Sequence, residues 1–150
     1  MSLHEGIDPG LELWQTLREI YRAAVKRLNA RLVKERITFS QYNVLLAISR
    51  NGPMPMSRLG DHMLVAPANV TGLVDRLESK GYVRRRRDRR DRRRCVIELT
   101  PVGARLFRSI SARFVKFVAG LSSGLSQDEL AATLDGLRKV RGRVAQSTEI

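Results

Sequence analysis

Residues 84–94 read RRRRDRRDRRR, nine arginines and two aspartates in eleven positions. What flanks this run constrains the fold most. Before it, Tyr82-Val83 begins a segment of strand character. After it, CVIELT alternates, with Cys95, Ile97 and Leu99 on one side and Val96, Glu98 and Thr100 on the other. A disordered basic tail would more commonly sit at a terminus. A run held between two strands is expected to form the tip and flanks of a β-hairpin. The chain carries a formal charge of +13; the run supplies +7 of it, nine arginines against two aspartates, and all the rest supplies +6. Charge so concentrated implies an acidic partner on one surface, nucleic acid before an anionic membrane.

The 150 residues suffice for one domain with a core, and 43% apolar content argues against disorder. No apolar run approaches the roughly 18–20 residues that span a bilayer. The opening MSLHEGIDPG has neither a basic start nor an apolar stretch, so no secretory signal is expected. One cysteine, Cys95, precludes an intramolecular disulfide framework, and His4 and His62 form no zinc spacing with it. The expectation is a cytoplasmic chain without metal or cofactor.

Asp8-Pro9 marks a helix start, followed by Leu13, Leu17, Ile20, Tyr21, Ala24, Leu28 and Leu32 at spacings of three and four. This predicts a helix of about six turns. Thr38 and Gln41 form a capping-box pattern, with Tyr42, Leu45, Leu46 and Ser49 on one face of the helix that follows and Asn51-Gly52-Pro53 ending it. A weakly marked helix covers residues 57–63. Pro67 opens another, ended by Gly81, in which Val70, Leu73, Val74 and Leu77 give a narrow apolar stripe. Thr100-Pro101 caps a helix lined by Leu106, Ile110, Phe114, Phe117, Val118 and Leu121. Ser126 and Glu129 open the last, with Leu130, Leu134, Leu137, Val140 and Val144. The fold class is mostly α with a small β-hairpin wing, a winged helix-turn-helix. Residues 1–36 and 101–150 are expected to dimerise and 37–100 to bind DNA within one compact chain, since the outer helices carry apolar faces that the small centre cannot cover.

The helix over residues 67–80 turns Ala68, Gly72, Asp75 and Ser79 away from its apolar stripe, flanked by Asn69, Thr71 and Arg76. This face is polar and small at its start, as entry into a major groove roughly 12 Å wide requires. Asn69 can bond an adenine edge, Thr71 a base or a thymine methyl, and Arg76 a guanine or a phosphate. An ordinary solvated helix face has the same look, and the adjoining arginines tip the balance to DNA. Hairpin arginines can contact phosphates, and one or two at the tip can enter a minor groove. Asp88 and Asp91 fit as residues that orient neighbouring guanidinium groups or brace the turn.

The stretches TFSQYNVLLAI, RLGDHM, VTGLVDRLESKGYVRR and DRRDRRRCVIELTPVG resemble the MarR (multiple antibiotic resistance regulator) family over residues 38–103. The wing signature Asp-x-x-Asp-Arg-Arg at Asp88–Arg93, followed by a strand and the helix start at Thr100 and Gly103, is its most specific part. The outer helices match in length and place only. The resemblance implies a homodimer that binds a pseudopalindromic operator in double-stranded DNA, usually as a repressor, and that dimerises through the first and the last two helices. It implies residues 67–80 as recognition helix and Arg93 as a minor-groove finger flanked by Arg92 and steadied by Asp91. With Arg87, Arg89 and Arg90 these residues make the expected wing contact. Three positions depart from the family's pattern: Ala66 stands where Ser or Thr often caps, Gly72 where a larger polar residue is usual, and Arg89 where proline is frequent.

Family members often release DNA when a small, often aromatic anion binds between the dimer helices and the DNA-binding lobe. Trp14, Arg18 and Tyr21, spaced by four and three, can line such a pocket or can serve the interface. Some members sense oxidants through a cysteine in the first helix, which has none here. Cys95 is expected as a small buried residue beside Ile97 and Leu99, although nearby arginines can lower a thiol's pKa. His62 is expected to be solvated or capping. A non-specific architectural nucleic-acid-binding protein is the alternative, but the patterned helix face favours sequence reading, and 5% aromatic residues disfavour stacking on single strands. No nucleophile–base pair, metal cluster or phosphate loop suggests an enzyme. The hairpin lacks the apolar anchors expected of a membrane binder.

Overall fold

The computed structural model describes residues 8–63, 67–88, 91 and 93–146, the side chains of Pro67 and Ala68 excepted. The elements run α1 (Pro9–Leu32), a 3-10 turn (Val33–Glu35), α2 (Phe39–Asn51), α3 (Met56–Met63), α4 (Pro67–Ser79), β1 (Val83–Arg87), β2 (Cys95–Leu99), α5 (Pro101–Leu121) and α6 (Gln127–Gln146). This is the expected mostly α chain with a two-stranded wing.

Helix boundaries follow from side chains that satisfy the free amides of first turns. The Asp8 carboxylate accepts from the Gly10 and Leu11 N–H groups at 2.8 and 3.1 Å. Thr38 Oγ1 accepts from the Gln41 N–H at 3.2 Å, and Gln41 Oε1 accepts from the Thr38 N–H at 3.0 Å. Asn29 of α1 takes the next amide, that of Phe39, at 2.7 Å. Ser126 and Glu129 repeat the reciprocal cap at α6.

Residues up to Phe107 form one compact unit and those from Arg108 a second. In the first, Val44, Leu45, Leu59, Val70, Val74 and Leu77, from α2, α3 and α4, are all completely buried. Tyr42 stacks between Phe39 and Phe107, with ring centroids 6.3 and 5.8 Å away. The buried residues of α2 are Gln41, Tyr42, Val44, Leu45 and Ile48; Ser49, expected among them, is exposed. Ser49 points within about 20° of the buried Tyr42 but lies two turns further on, in the last turn of α2, so the correction is one of position along the helix and not of direction.

β1 and β2 pair antiparallel, Val83 opposite Leu99 through Arg87 opposite Cys95. Met54, between α2 and α3, adds a third short partner: its N–H donates to the Ile97 carbonyl at 3.2 Å and its carbonyl accepts from the Ile97 N–H at 2.8 Å. Both Val96 and Ile97 are buried, so strict alternation fails along β2. Cys95, expected to be buried, is exposed. It stands at the first position of β2, opposite Arg87, where the core has ended.

The foot of the wing is tied to α5. Gly81, at φ 72°, turns the chain out of α4. Thr100 Oγ1 donates to the Gly81 carbonyl at 2.6 Å and accepts from the Gly103 N–H at 3.0 Å, while the Thr100 N–H reaches the Tyr82 carbonyl at 3.1 Å. A Cβ on Gly103 would lie 1.9 Å from the Tyr82 oxygen, so no larger residue fits this crossing. In the second unit, Val115, Val118, Leu121, Leu134 and Val144 are exposed, as are Trp14, Ile20 and Tyr21 of α1 in the first.

Candidate nucleic-acid interface

α4 presents the two faces its sequence prescribes. Val70, Val74 and Leu77 are fully buried, whereas Asn69, Thr71, Asp75, Arg76 and Ser79 are exposed and Gly72 is half-buried. Of Ala68, only its place in the first turn of α4 is described. Arg76 folds back along the helix, its Nε donating to the Gly72 carbonyl at 2.9 Å.

The arginines divide into two classes that the sequence does not separate. Arg84, Arg85 and Arg86 of β1 are engaged by carboxylates. Arg85 pairs with Asp75 and Glu78 of α4, and its N–H donates to Glu78 Oε1 at 3.0 Å. The hydrogen bond that Arg85 donates to Asp75 is the main reason its pKa is raised, with desolvation opposing it and the Glu78 charge adding to it. Glu98 of β2 accepts from Arg84 Nε at 2.7 Å and from Arg86 Nε. Burial alone would raise the Glu98 carboxyl; the bonds from Arg86 and Arg84 outweigh it and hold the pKa below the ordinary value. These pairs were not anticipated from the sequence. The signal available was three acids, Asp75, Glu78 and Glu98, within a strongly basic segment. The register that sets Glu98 opposite Arg84 completes it.

The tip differs. The Asp88 N–H donates to the Arg94 carbonyl at 2.8 Å, and the Arg94 N–H to the Asp91 carbonyl at 2.9 Å. Asp91 Oδ1 accepts from the Arg93 N–H at 3.0 Å and Oδ2 lies 3.4 Å from Arg94 Nε. Asp91 therefore steadies Arg93 through the backbone and gives its charge to Arg94. Arg87, Arg93 and Arg94 line a surface concavity of about 330 Å³ with Cys95. Among the described residues, Arg87 and Arg93 have no carboxylate partner. The expected contacts Arg89, Arg90 and Arg92 lie outside the described residues, as does the departure at Ala66.

Trp14, Arg18 and Tyr21 are all exposed on α1. Tyr21 borders a concavity with Arg22, Ala23, Val25, Lys26 and Asn29; Trp14 and Arg18 do not line it. His62 is exposed and borders a concavity of about 310 Å³ with Asn43, Arg50 and Asn51. No metal-ligating cluster occurs among the described residues, and no described helix is long and apolar enough to cross a membrane.

Residues 37–95 match the model of the MarR family. The HTH-type transcriptional regulator YhbI of Bacillus subtilis is 31% identical over 92% of this chain and 87% of its own. The transcriptional repressor MdtR of the same organism is 25% identical over 89% and 84%. The crystal structure of the transcriptional regulator BldR from Sulfolobus solfataricus superposes with a TM-score of 0.78 at 33% identity, covering 93% of this chain and 99% of that one. With the fold, the α4 face and the wing in agreement, the chain belongs to the MarR family of winged helix-turn-helix transcriptional regulators, proteins that bind DNA and are not enzymes.

Proposed function

We propose that the chain works in the cytoplasm as a homodimeric repressor on a pseudopalindromic operator. Each α4 enters a major groove with Ala68, Asn69, Thr71, Gly72 and Arg76, and each wing tip enters the adjacent minor groove. Arg93 is the finger, flanked by Arg92, with Arg87, Arg89 and Arg90 on the surrounding backbone and Asp91 bracing the turn. The observation that carries this reading is the contrast within the wing: Arg84, Arg85 and Arg86 are paired with Asp75, Glu78 and Glu98, whereas Arg87, at the end of β1, and Arg93 have no carboxylate partner among the described residues. Cations held away from carboxylates are those available to phosphates and to the focused potential of a narrow groove.

Residues 1–36 and 101–150 form the dimer interface and residues 37–100 the DNA-binding lobe. The exposed Trp14, Ile20 and Tyr21 of α1, with Val115, Val118 and Leu121 of α5, support this, because such apolar surface is rarely left in water. The relative MdtR, a repressor by name, supports the negative sign. A small aromatic anion that releases the DNA has suitable chemistry at Trp14, Arg18 and Tyr21, aromatic rings close to a cation along one helix.

Selection of bound duplexes from a random library at about 150 mM salt tests the reading, since that salt suppresses backbone-only binding. An enriched inverted repeat with half-sites about 34 Å apart supports it. Retention of duplexes without sequence preference overturns it in favour of an architectural protein.

A further inference from the structure

Gly72 and Arg76 stand one helical turn apart on the outward face of α4. Arg76 Nε donates to the Gly72 carbonyl at 2.9 Å, which lays the guanidinium along the helix towards Gly72. Beyond its own helix backbone and chain neighbours, a Cβ built on Gly72 would meet only Arg76 Nη2, at 3.3 Å, and no atom of the core. The glycine therefore answers no packing demand of the interior. A glycine inside a helix is disfavoured relative to alanine. What it leaves room for is the end of Arg76.

We propose that Gly72 and Arg76 form one specificity-determining unit, in which the Arg76 guanidinium takes the place of a residue-72 side chain and reads a guanine in each half-site. The inference rests on the operator-binding reading above. With Nε held by the Gly72 carbonyl, the two terminal nitrogens remain as an end-on pair of donors. In the major groove guanine alone offers two adjacent acceptors, O6 and N7; adenine pairs an acceptor with a donor, and thymine offers one acceptor and a methyl. Two fixed donors therefore select guanine. The tether also reduces the side-chain freedom lost on binding.

The test uses the full chain, the duplex enriched from the random library, and derivatives of that duplex with each guanine replaced in turn by adenine or by 7-deazaguanine. For the unaltered protein, one guanine per half-site should be worth about tenfold or more in affinity, and removal of its N7 alone should weaken binding. Arg76→Ala should lose that discrimination at that one position while retaining the others. Gly72→Leu, which fills the space with a good helix former, should lose it too. Gly72→Ala should weaken it in part. Both glycine variants should be no less stable to denaturant than the parent, an outcome that a purely structural glycine would not give.

If Arg76→Ala weakens binding evenly on all duplexes and lowers the salt slope by about one, Arg76 is a phosphate contact and the proposal falls while the operator reading stands. If Gly72→Leu keeps the same guanine preference, the pairing of the two residues is wrong. If no inverted repeat is enriched at all, the operator reading itself has failed, and this proposal with it.

Discussion

The base and the tip of the wing are built from the same residue type and do opposite work. At the base, Arg84, Arg85 and Arg86 close on Glu98, Asp75 and Glu78, joining β1 to β2 and to α4. At the tip, Arg87 and Arg93 carry no carboxylate partner among the described residues, and Asp91 shapes the turn chiefly through the Arg93 amide. A count of charges along residues 84–94 therefore overstates what a polyanion meets. Part of the run is the frame that fixes the wing against α4; the remainder is the part proposed to meet DNA.

The largest effect is expected at the foot of the frame. Gly103→Ala places a methyl group 1.9 Å from the Tyr82 carbonyl, a backbone atom that cannot swing aside. Chemical denaturation should show a loss of about 3 kcal/mol. An unchanged midpoint would mean that the crossing of α5 over the wing is looser than described. At the tip, Arg93→Ala should weaken operator binding by about 1–3 kcal/mol and leave the denaturation midpoint in place. Full binding by this variant would remove the finger from the tip.

Glu98→Gln tests the base from the other side. It should lower stability by about 1–2 kcal/mol, the scale of charge-assisted bonds discounted for the exposure of Arg84. The same pairs give a pH signature. The Glu98 carboxyl is held below its ordinary value of 4.5 in the folded chain, so the stability it contributes is complete above that pH. It is lost as pH falls below 4.5 towards the folded value. The parent should therefore lose more stability than Glu98→Gln over that acid range; equal losses would show the carboxylate to be unpaired in solution. Asp91→Ala, which removes an exposed pair and one turn bond, should cost about 0.5 kcal/mol in binding, less than Arg93→Ala. A loss equal to that of Arg93→Ala would make the aspartate part of the contact.

What could be read from the sequence was what local chemistry decides. Asp8-Pro9, Thr38 with Gln41, and Ser126 with Glu129 cap helices because each cap involves residues three apart or fewer. The two faces of α4 were equally legible, since a 3.6-residue period and a narrow apolar stripe leave one orientation. Long-range pairing was not. Nothing near Ile97 announces that Met54 will bond to both its amide and its carbonyl, and that cover helps explain why two successive residues of β2 are buried. Cys95 was misplaced because a period of two does not say where the core ends: Ile97 is buried, but Cys95 stands at the first position of β2, opposite Arg87, and is exposed. Among nine arginines of identical chemistry, only the register and the proximity of α4 distinguish Arg85 from Arg87.

The division between base and tip is tested most directly by the salt dependence of operator binding for Arg87→Ala and Arg86→Ala, each against the parent. Each phosphate neutralised contributes about 0.9 to the slope of log affinity against log salt. Arg87→Ala should make the slope shallower by about one, whereas Arg86→Ala, whose guanidinium is held by Glu98, should leave it unchanged even where it lowers stability. Equal shallowing by both variants would contradict the division, and the base of the wing would then have to be counted as part of the grip on DNA.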